Sequence, residues 1–337
     1  MATFRGNSSA GGTTNKAKQG GGVGRAQAIV GNGGGVQKVK RRSIHFILEN
    51  EARAKAKTPG LQQWIGQGEL IKKLLDDPSF KSISSHAKLK KEMTEASSQC
   101  AQLDWLAATH DDGIFKSGGE GYFIVDICCG KGFFGLLASH LLPKAEILLL
   151  DKNKKIKMGH FASIENVSFE LLDIRSGHFL KNMKASYTFS LATYLGEKFQ
   201  KSGKTKILLF GTHLCGILSR IVMETFHGLL EAAPRNATGE SCQTVGVFLV
   251  PCCFPKRCQD YDLVNEARKQ GFDDTMEYWV NLLLSLGGSG GKKRKHGDAA
   301  GATTGLEDCA FEHIRMQHML SEKNHLIRAC ARPEERE

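Results

Sequence analysis

Residues 122–135 read Tyr-Phe-Ile-Val-Asp-Ile-Cys-Cys-Gly-Lys-Gly-Phe-Phe-Gly, and this stretch decides the fold. An apolar strand ends in Asp126, the chain turns through Gly130 and Gly132, and an apolar helix follows. Glycines in such a turn let a ligand come close to the backbone. Gly130, Gly132 and Gly135 also match the G-x-G-x-x-G spacing of dinucleotide sites. Charge separates the two ligand classes that use this geometry. A pyrophosphate seeks the bare N–H groups of a helix start and is repelled by a carboxylate at Asp126. A ligand carrying a sulfonium and an ammonium group is attracted instead, and S-adenosylmethionine is such a ligand.

Working outward, Ile147-Leu148-Leu149-Leu150 ends at Asp151, suited to accept hydrogen bonds from a ribose. The apolar segment from Val167 to Leu172 ends at Asp173, suited to the exocyclic amine of an adenine. In an open parallel sheet, ligands bind at the carboxyl ends of the strands. Each Asp alone reads equally well as a cap on the next helix. Three in succession beside a glycine turn point to a nucleoside-type cofactor.

The periodicities predict an alternation that extends to the C-terminal region. Helices are expected at 43–57, 62–76 and 86–109, forming a helical N-terminal lobe over 43–115. Strands are expected at 122–127, 146–151, 167–172, 206–211, 244–250, 276–285 and 325–330. Helices are expected at 133–141, 178–200, 216–231, 258–270 and 306–321. This pattern predicts an α/β, Rossmann-like, seven-stranded sheet over 120–332, the arrangement of class I methyltransferases.

The chain has 337 residues and a net charge of +11, and 41% of its residues are hydrophobic. It is long enough for one large domain with an appendage. Its basicity is confined to two segments. Residues 1–48 and 287–305 hold twelve of the 46 basic residues, one of the 35 acidic ones and 18 of the 38 glycines. The remaining 34 bases and 34 acids cancel. Residues 1–42 therefore read as a disordered basic Gly-rich tail and 287–305 as a flexible basic insertion. Both are able to hold RNA electrostatically, and both read equally well as solvated spacers or transport signals. Lys292-Lys293-Arg294-Lys295 reads as a nuclear-import signal or a phosphate contact.

No apolar run approaches the ~18 residues of a membrane span, so no membrane partner is expected. Ten cysteines without a compact secretory leader point to a reducing compartment, cytoplasm or nucleus, with organellar targeting left open.

The fourth and fifth strands end in unusual peptides: Gly211-Thr212-His213-Leu214-Cys215-Gly216 and Pro251-Cys252-Cys253-Phe254-Pro255-Lys256-Arg257-Cys258. Both fall on the edge that carries the glycine turn, and three readings compete. His213 is a general base or orienting group, or else a histidine that orders its loop through a backbone carbonyl. Alternatively His213, Cys215, Cys252, Cys253 and Cys258 supply metal ligands, although none has the usual C-x₂-C spacing. In the third reading Cys215 or Cys252 is a thiolate nucleophile, activated by Lys256 or Arg257, or merely a small hydrophobe at a strand end.

The D-x-x-x-G-K-G turn, H-L-C-G after strand four, the Cys-Cys segment after strand five and Ser321-Glu322-Lys323-Asn324 together resemble a methyltransferase-like family. It includes the eukaryotic tRNA acceptor-stem 2′-O-methyltransferase and the glutathione-S-transferase-C-terminal-domain-containing protein. The resemblance covers about residues 122–330. It implies S-adenosylmethionine as cofactor, bound by Asp126, Gly130, Lys131, Gly132, Asp151 and Asp173. It places His213 and Cys215 at the reaction centre and makes RNA, and tRNA in particular, the expected substrate. Cys128 stands where many methyltransferases have the first glycine of the turn, tightening the fit around the methionine part. The N-terminal half lacks the Cys/His zinc fingers of the tRNA enzyme, and strand four lacks the Asn/Asp-Pro-Pro-Tyr peptide of amine and base methylases. A protein acceptor, or a non-catalytic RNA- or partner-binding module, are the alternatives.

Overall fold

The computed structural model describes Leu61, Trp64 and residues 67–84, 88–175, 187–214, 216–232, 234–251, 263–271, 275–285, 312–315 and 325–331. The expected helix at 43–57 and both basic segments lie outside these residues. Among the described residues, three helices precede the first strand: α1 (Gly68–Asp76), the short α2 (Lys81–Ser84) and α3 (Leu89–Thr109). Strands and helices then alternate through β1 (Tyr122–Ile127), α4 (Phe133–Leu141), β2 (Glu146–Asp151), β3 (Val167–Leu171), α5 (Tyr187–Ser202) and β4 (Lys206–Thr212). They continue through α6 (Ile217–Ala232), β5 (Thr244–Val250), α7 (Leu263–Lys269), α8 (Thr275–Ser285), β6 (Glu312–Arg315) and β7 (His325–Ala331).

The strands form one sheet in the order β3-β2-β1-β4-β5-β7-β6. The pairs from β3 to β5 are parallel, and β7 runs antiparallel to both β5 and β6. This is the class I methyltransferase arrangement within the Rossmann-like α/β class. β1 lies in the middle and is buried along its whole length, which explains its nearly unbroken apolar run: a parallel strand covered on both faces has no polar side to show.

Alternate residues feed two cores. Tyr122, Ile124, Ile147, Leu149, Phe210 and Phe248 pack with α1, α3 and α4. Phe123, Val125, Leu148, Ile207, Leu209 and Val247 pack with α5, α6 and α8. By the same alternation Asp126 faces the α3–α4 side. Leu61, Trp64, Leu70, Leu74 and Phe80 belong to that core too, so the described part of the helical lobe shares its interior with the sheet.

Two expected elements are corrected. Residues 276–285 form helix α8, not a strand. Trp279, Val280 and Leu283 are buried at the spacing of one helix face, which outweighs the β propensity of Tyr, Trp and Val. Within 306–321, where a helix was expected, Glu312–Arg315 is strand β6, paired with His325–Arg328 of β7. The pairing sets Glu312 opposite Arg328, and Arg328 Nη2 donates to Glu312 Oε2 at 2.6 Å.

Arg328 also fixes α3 against the sheet. Its guanidinium lies 4.2 Å from the Trp105 ring centroid, and Nη1 donates to Gln102 Oε1 at 3.1 Å. Trp105 in turn meets Phe248 of β5 edge-on at 5.9 Å. Among the described residues, no helix is long and apolar enough to cross a membrane.

Candidate functional site

The turn after β1 is built from left-handed backbone. Cys128, Gly130 and Gly132 have φ of +61°, +56° and +72°. At Gly132 a side chain would collide with the Phe161 ring, 2.8 Å from the position of its Cβ. At Gly130 a Cβ would meet nothing within 4 Å, so that glycine leaves open space beside the backbone. Cys128 holds a conformation that costs a non-glycine residue roughly 1–2 kcal/mol, at the position where a glycine would relieve it. Burial, followed by the nearby Asp151 and Asp126 carboxylates, pushes its thiol up to about 12, and burial drives Cys129 higher still. Both thiols are therefore neutral near pH 7.

Two neighbours hold this turn. Asp151 Oδ2 accepts from the Gly130 N–H at 2.9 Å, and Oδ1 accepts from the Asn153 N–H at 2.8 Å. His160 is buried, and burial lowers its pKa to about 4. Its neutral ring donates from Nε2 to the Lys131 carbonyl at 3.2 Å.

Beside the turn lies a cavity of about 240 Å³. Asp126, Cys128, Cys129 and Gly130 line one wall, Phe133 and Phe134 of α4 another, and Thr212 and His213 at the end of β4 a third. The fourth wall is α3, through Glu92, Glu95, Ala96 and Gln99. Asp126 is only 3% exposed, and burial, with a smaller push from Asp151, raises its pKa to about 8. Glu92 is raised by burial and by Glu95. Glu95 behaves oppositely: burial pushes it up, but hydrogen bonding to His213 and the Lys91 ammonium overcome that and hold it below the usual carboxylate range.

Two further polar atoms on these walls, Gln99 Nε2 and Thr212 Oγ1, are buried without a hydrogen-bond partner among the described residues. Buried donors without partners are costly, so three carboxylates, a free amide and a free hydroxyl around one space suit a polar ligand with positive charge. A larger groove of about 600 Å³ is lined by Glu69, Lys72, Lys73, Asp76, Asp77 and His140. It lies away from the glycine turn and none of the unpartnered buried atoms lines it, so the smaller cavity has the stronger chemical claim.

His213 also has a left-handed backbone, φ +62°. Its Nε2 is 2.8 Å from Glu95 Oε2 and 3.1 Å from Lys91 Nζ. Lys91 Nζ stands 3.0 Å from Glu95 Oε1, close enough for an ion pair but without the alignment of a hydrogen bond.

The structure thus brings Asp126, Cys128, Gly130 and His213 to one cavity. Lys131 and Gly132 belong to the turn but do not line that space. Asp151 stands next to the turn with both oxygens engaged by backbone N–H groups. Asp173, expected at an adenine, does not line the cavity, and its Oδ1 accepts from the Arg175 N–H at 3.1 Å and from Nε at 3.4 Å. Cys215, Cys252, Cys253 and Cys258 lie outside the described residues. Among the described residues no group of His, Cys, Asp and Glu could hold a metal ion.

Glu92, Glu95, Gln99 and Thr212 carry no motif. The available signal is the 3-4-3 spacing of Glu92, Glu95, Gln99 and Gln102, which puts four polar groups on one face of α3. That face is turned inward.

No family model matches the chain, and no curated protein is similar to it in sequence. Among solved structures it is similar to the Methanococcus jannaschii fibrillarin pre-rRNA processing protein, at 11% identity over 63% of this chain and 67% of the other, TM-score 0.31. It is also similar to the plantazolicin methyltransferase BpumL in complex with SAH, at 12% identity over 86% and 100%, TM-score 0.36. A third is Aeropyrum pernix fibrillarin with natively bound S-adenosyl-L-methionine, at 11% identity over 67% and 74%, TM-score 0.34. Likeness at this level adds nothing to what the strand order and the cavity already say.

Proposed function

We propose that this chain is an S-adenosylmethionine-dependent methyltransferase acting on RNA. One observation carries the reading: Asp126, Glu92 and Glu95 surround a single cavity at the glycine turn, facing an unpartnered amide and hydroxyl. The residues fit the donor. Asp126 and Glu92 match its ammonium and sulfonium charges, and Gln99 Nε2 and Thr212 Oγ1 offer donors to its carboxylate. Gly130 leaves room at the backbone for the ligand to pass. A pyrophosphate would meet three carboxylates instead.

When bound, the donor supplies a methyl group on sulfur with a neutral thioether as leaving group. The chain's part is to bind, orient and accept a proton. Asp126 and the glycine turn fix the donor, and Phe133, Phe134 and Ala96 exclude water beside it. His213 takes the proton released from the acceptor hydroxyl or amine as its lone pair attacks the methyl carbon. Holding the nucleophile in line contributes most of the rate. Cys128 and Cys129, neutral and half-buried, are assigned no part as nucleophiles.

RNA as acceptor is supported by the charge distribution. The body is neutral overall, whereas the glycine-rich segments 1–48 and 287–305 carry the whole +11, which suits electrostatic tethering of phosphates. A tRNA ribose hydroxyl is the specific acceptor that the H-L-C-G and Pro-Cys-Cys resemblance suggests. The test is incubation of the full chain with methyl-labelled donor and total cell extract. Label that ribonuclease releases and protease does not is the expected result. Label that survives ribonuclease would transfer the reading to a protein acceptor, and absence of turnover would leave a binding module.

A further inference from the structure

The nitrogen that joins His213 to α3 is shared by two groups that cannot both be satisfied. Glu95 Oε2, at 2.8 Å, is a carboxylate oxygen and can only accept, which requires Nε2–H. Lys91 Nζ, at 3.1 Å, is an ammonium and can only donate, which requires a bare Nε2. The two contacts belong to opposite tautomers of the neutral ring.

Burial decides between them. The Glu95 side chain is 6% exposed and that of Lys91 35%. Lys91 can turn to water or remain beside Glu95 Oε1, whereas Glu95 has no alternative donor for Oε2 among the described residues. An ionised carboxylate left without a donor in the interior costs far more than an ammonium left to solvent.

We infer that Glu95 is a positioning residue for His213: it accepts the Nε2–H, fixes that tautomer and leaves Nδ1 as the bare nitrogen. Nδ1 has no partner among the described residues, so it is available to the acceptor's proton. The inference rests on the reading of this cavity as a methyl-transfer centre. In the transfer step the acceptor's O–H or N–H bond breaks, its proton goes to Nδ1, the new bond forms to the methyl carbon, and the carbon–sulfur electron pair stays with sulfur. The ring then carries both protons, and Glu95 faces the resulting charge at Nε2. Helix α3 would thereby supply half of the proton-accepting unit from outside the strand–turn–helix motif, and the left-handed backbone at His213 brings the ring to it.

The test uses the full chain labelled with ¹⁵N-histidine. Long-range ¹H–¹⁵N spectra show which ring nitrogen is protonated at an alkaline pH where histidine rings are neutral. The His213 resonance is assigned by its loss in His213→Gln. The wild-type ring is expected to be protonated at Nε2 and bare at Nδ1, and Lys91→Gln to keep that state. Glu95→Gln, whose amide can donate as well as accept, is expected to admit the other tautomer and to lower kcat at least about 10-fold.

Wild-type protonation at Nδ1, or a switch of tautomer in Lys91→Gln, overturns the inference. These spectra need no turnover. Failure of the donor to bind would count against the methyltransferase reading and leave the tautomer result standing. The wild-type spectrum alone decides if Glu95→Gln does not fold.

Discussion

The carboxylates that end β1 and β2 look alike in sequence, and the structure puts them to different uses. Asp151 gives both oxygens to backbone N–H groups of Gly130 and Asn153. It is part of the frame of the glycine turn. Asp126, one strand over, is 3% exposed and its pKa is pushed up to about 8 because burial opposes its charge. Asp173, one strand farther, is held by its own neighbour Arg175. A carboxylate satisfied by backbone N–H groups maintains geometry, and the buried one without such partners among the described residues is the one we propose to receive the donor. The same strand-end motif thus yields a support at one site and, in the proposed reading, a receptor at the other.

The sharpest way to break this comparison is to neutralise each carboxylate and measure the affinity for S-adenosylmethionine. Asp126→Asn removes a buried charge facing a cation and is expected to raise Kd by roughly 30-fold or more, about 2 kcal/mol at least. Asp151→Ala frees two backbone N–H groups and is expected to cost about 10-fold through a loosened turn, along with about 1–3 kcal/mol of stability seen in denaturant unfolding. Asp173→Asn is expected to change Kd by no more than about threefold, because an exposed pair contributes little. Equal losses at Asp126 and Asp173 would mean that the two strand ends do not differ in kind.

A smaller but more specific effect lies in pH. The raised pKa of Asp126 means that the unliganded fold binds a proton that the unfolded chain has released. Its contribution to stability therefore falls as pH rises from about 4 to about 8, and levels off above. Binding of a cationic donor runs the other way, tightening up to about pH 8 as the carboxyl ionises. Asp126→Asn is expected to flatten both trends in melting temperature and in Kd. The smallest expected effect is at Cys128, whose left-handed backbone would suit glycine. Cys128→Gly is expected to gain about 0.5–1 kcal/mol after glycine's greater unfolded-state entropy. A loss would mean that the thiol's packing outweighs the backbone strain.

The sheet was legible because parallel strands buried on both faces leave long apolar runs, and Tyr122–Ile127 and Glu146–Asp151 could hardly be read otherwise. The glycine turn was legible for the same local reason. The sequence of helix α8 reads as a strand because Tyr278, Trp279 and Val280 favour strands, and only the burial of Trp279, Val280 and Leu283 along one face reveals the helix. The fourth wall of the cavity was invisible for a different reason. Glu92, Glu95 and Gln99 look like the solvent face of a helix until α3 is docked, through its apolar residues in the shared core and through Arg328, more than 200 residues away, which meets Trp105 and Gln102. Contacts that distant leave no periodicity to read. The strand-end carboxylates were all visible, but nothing in their local sequence says which one finds a backbone donor.

The central claim is that a buried, mostly protonated Asp126 must ionise to receive a positively charged donor. Calorimetric titration of the full chain with S-adenosylmethionine near pH 7, in two buffers of different ionisation enthalpy, counts the protons exchanged. The account predicts release of about one proton per donor bound, lost in Asp126→Asn. Binding without proton release, or binding that Asp126→Asn leaves unchanged, would contradict it.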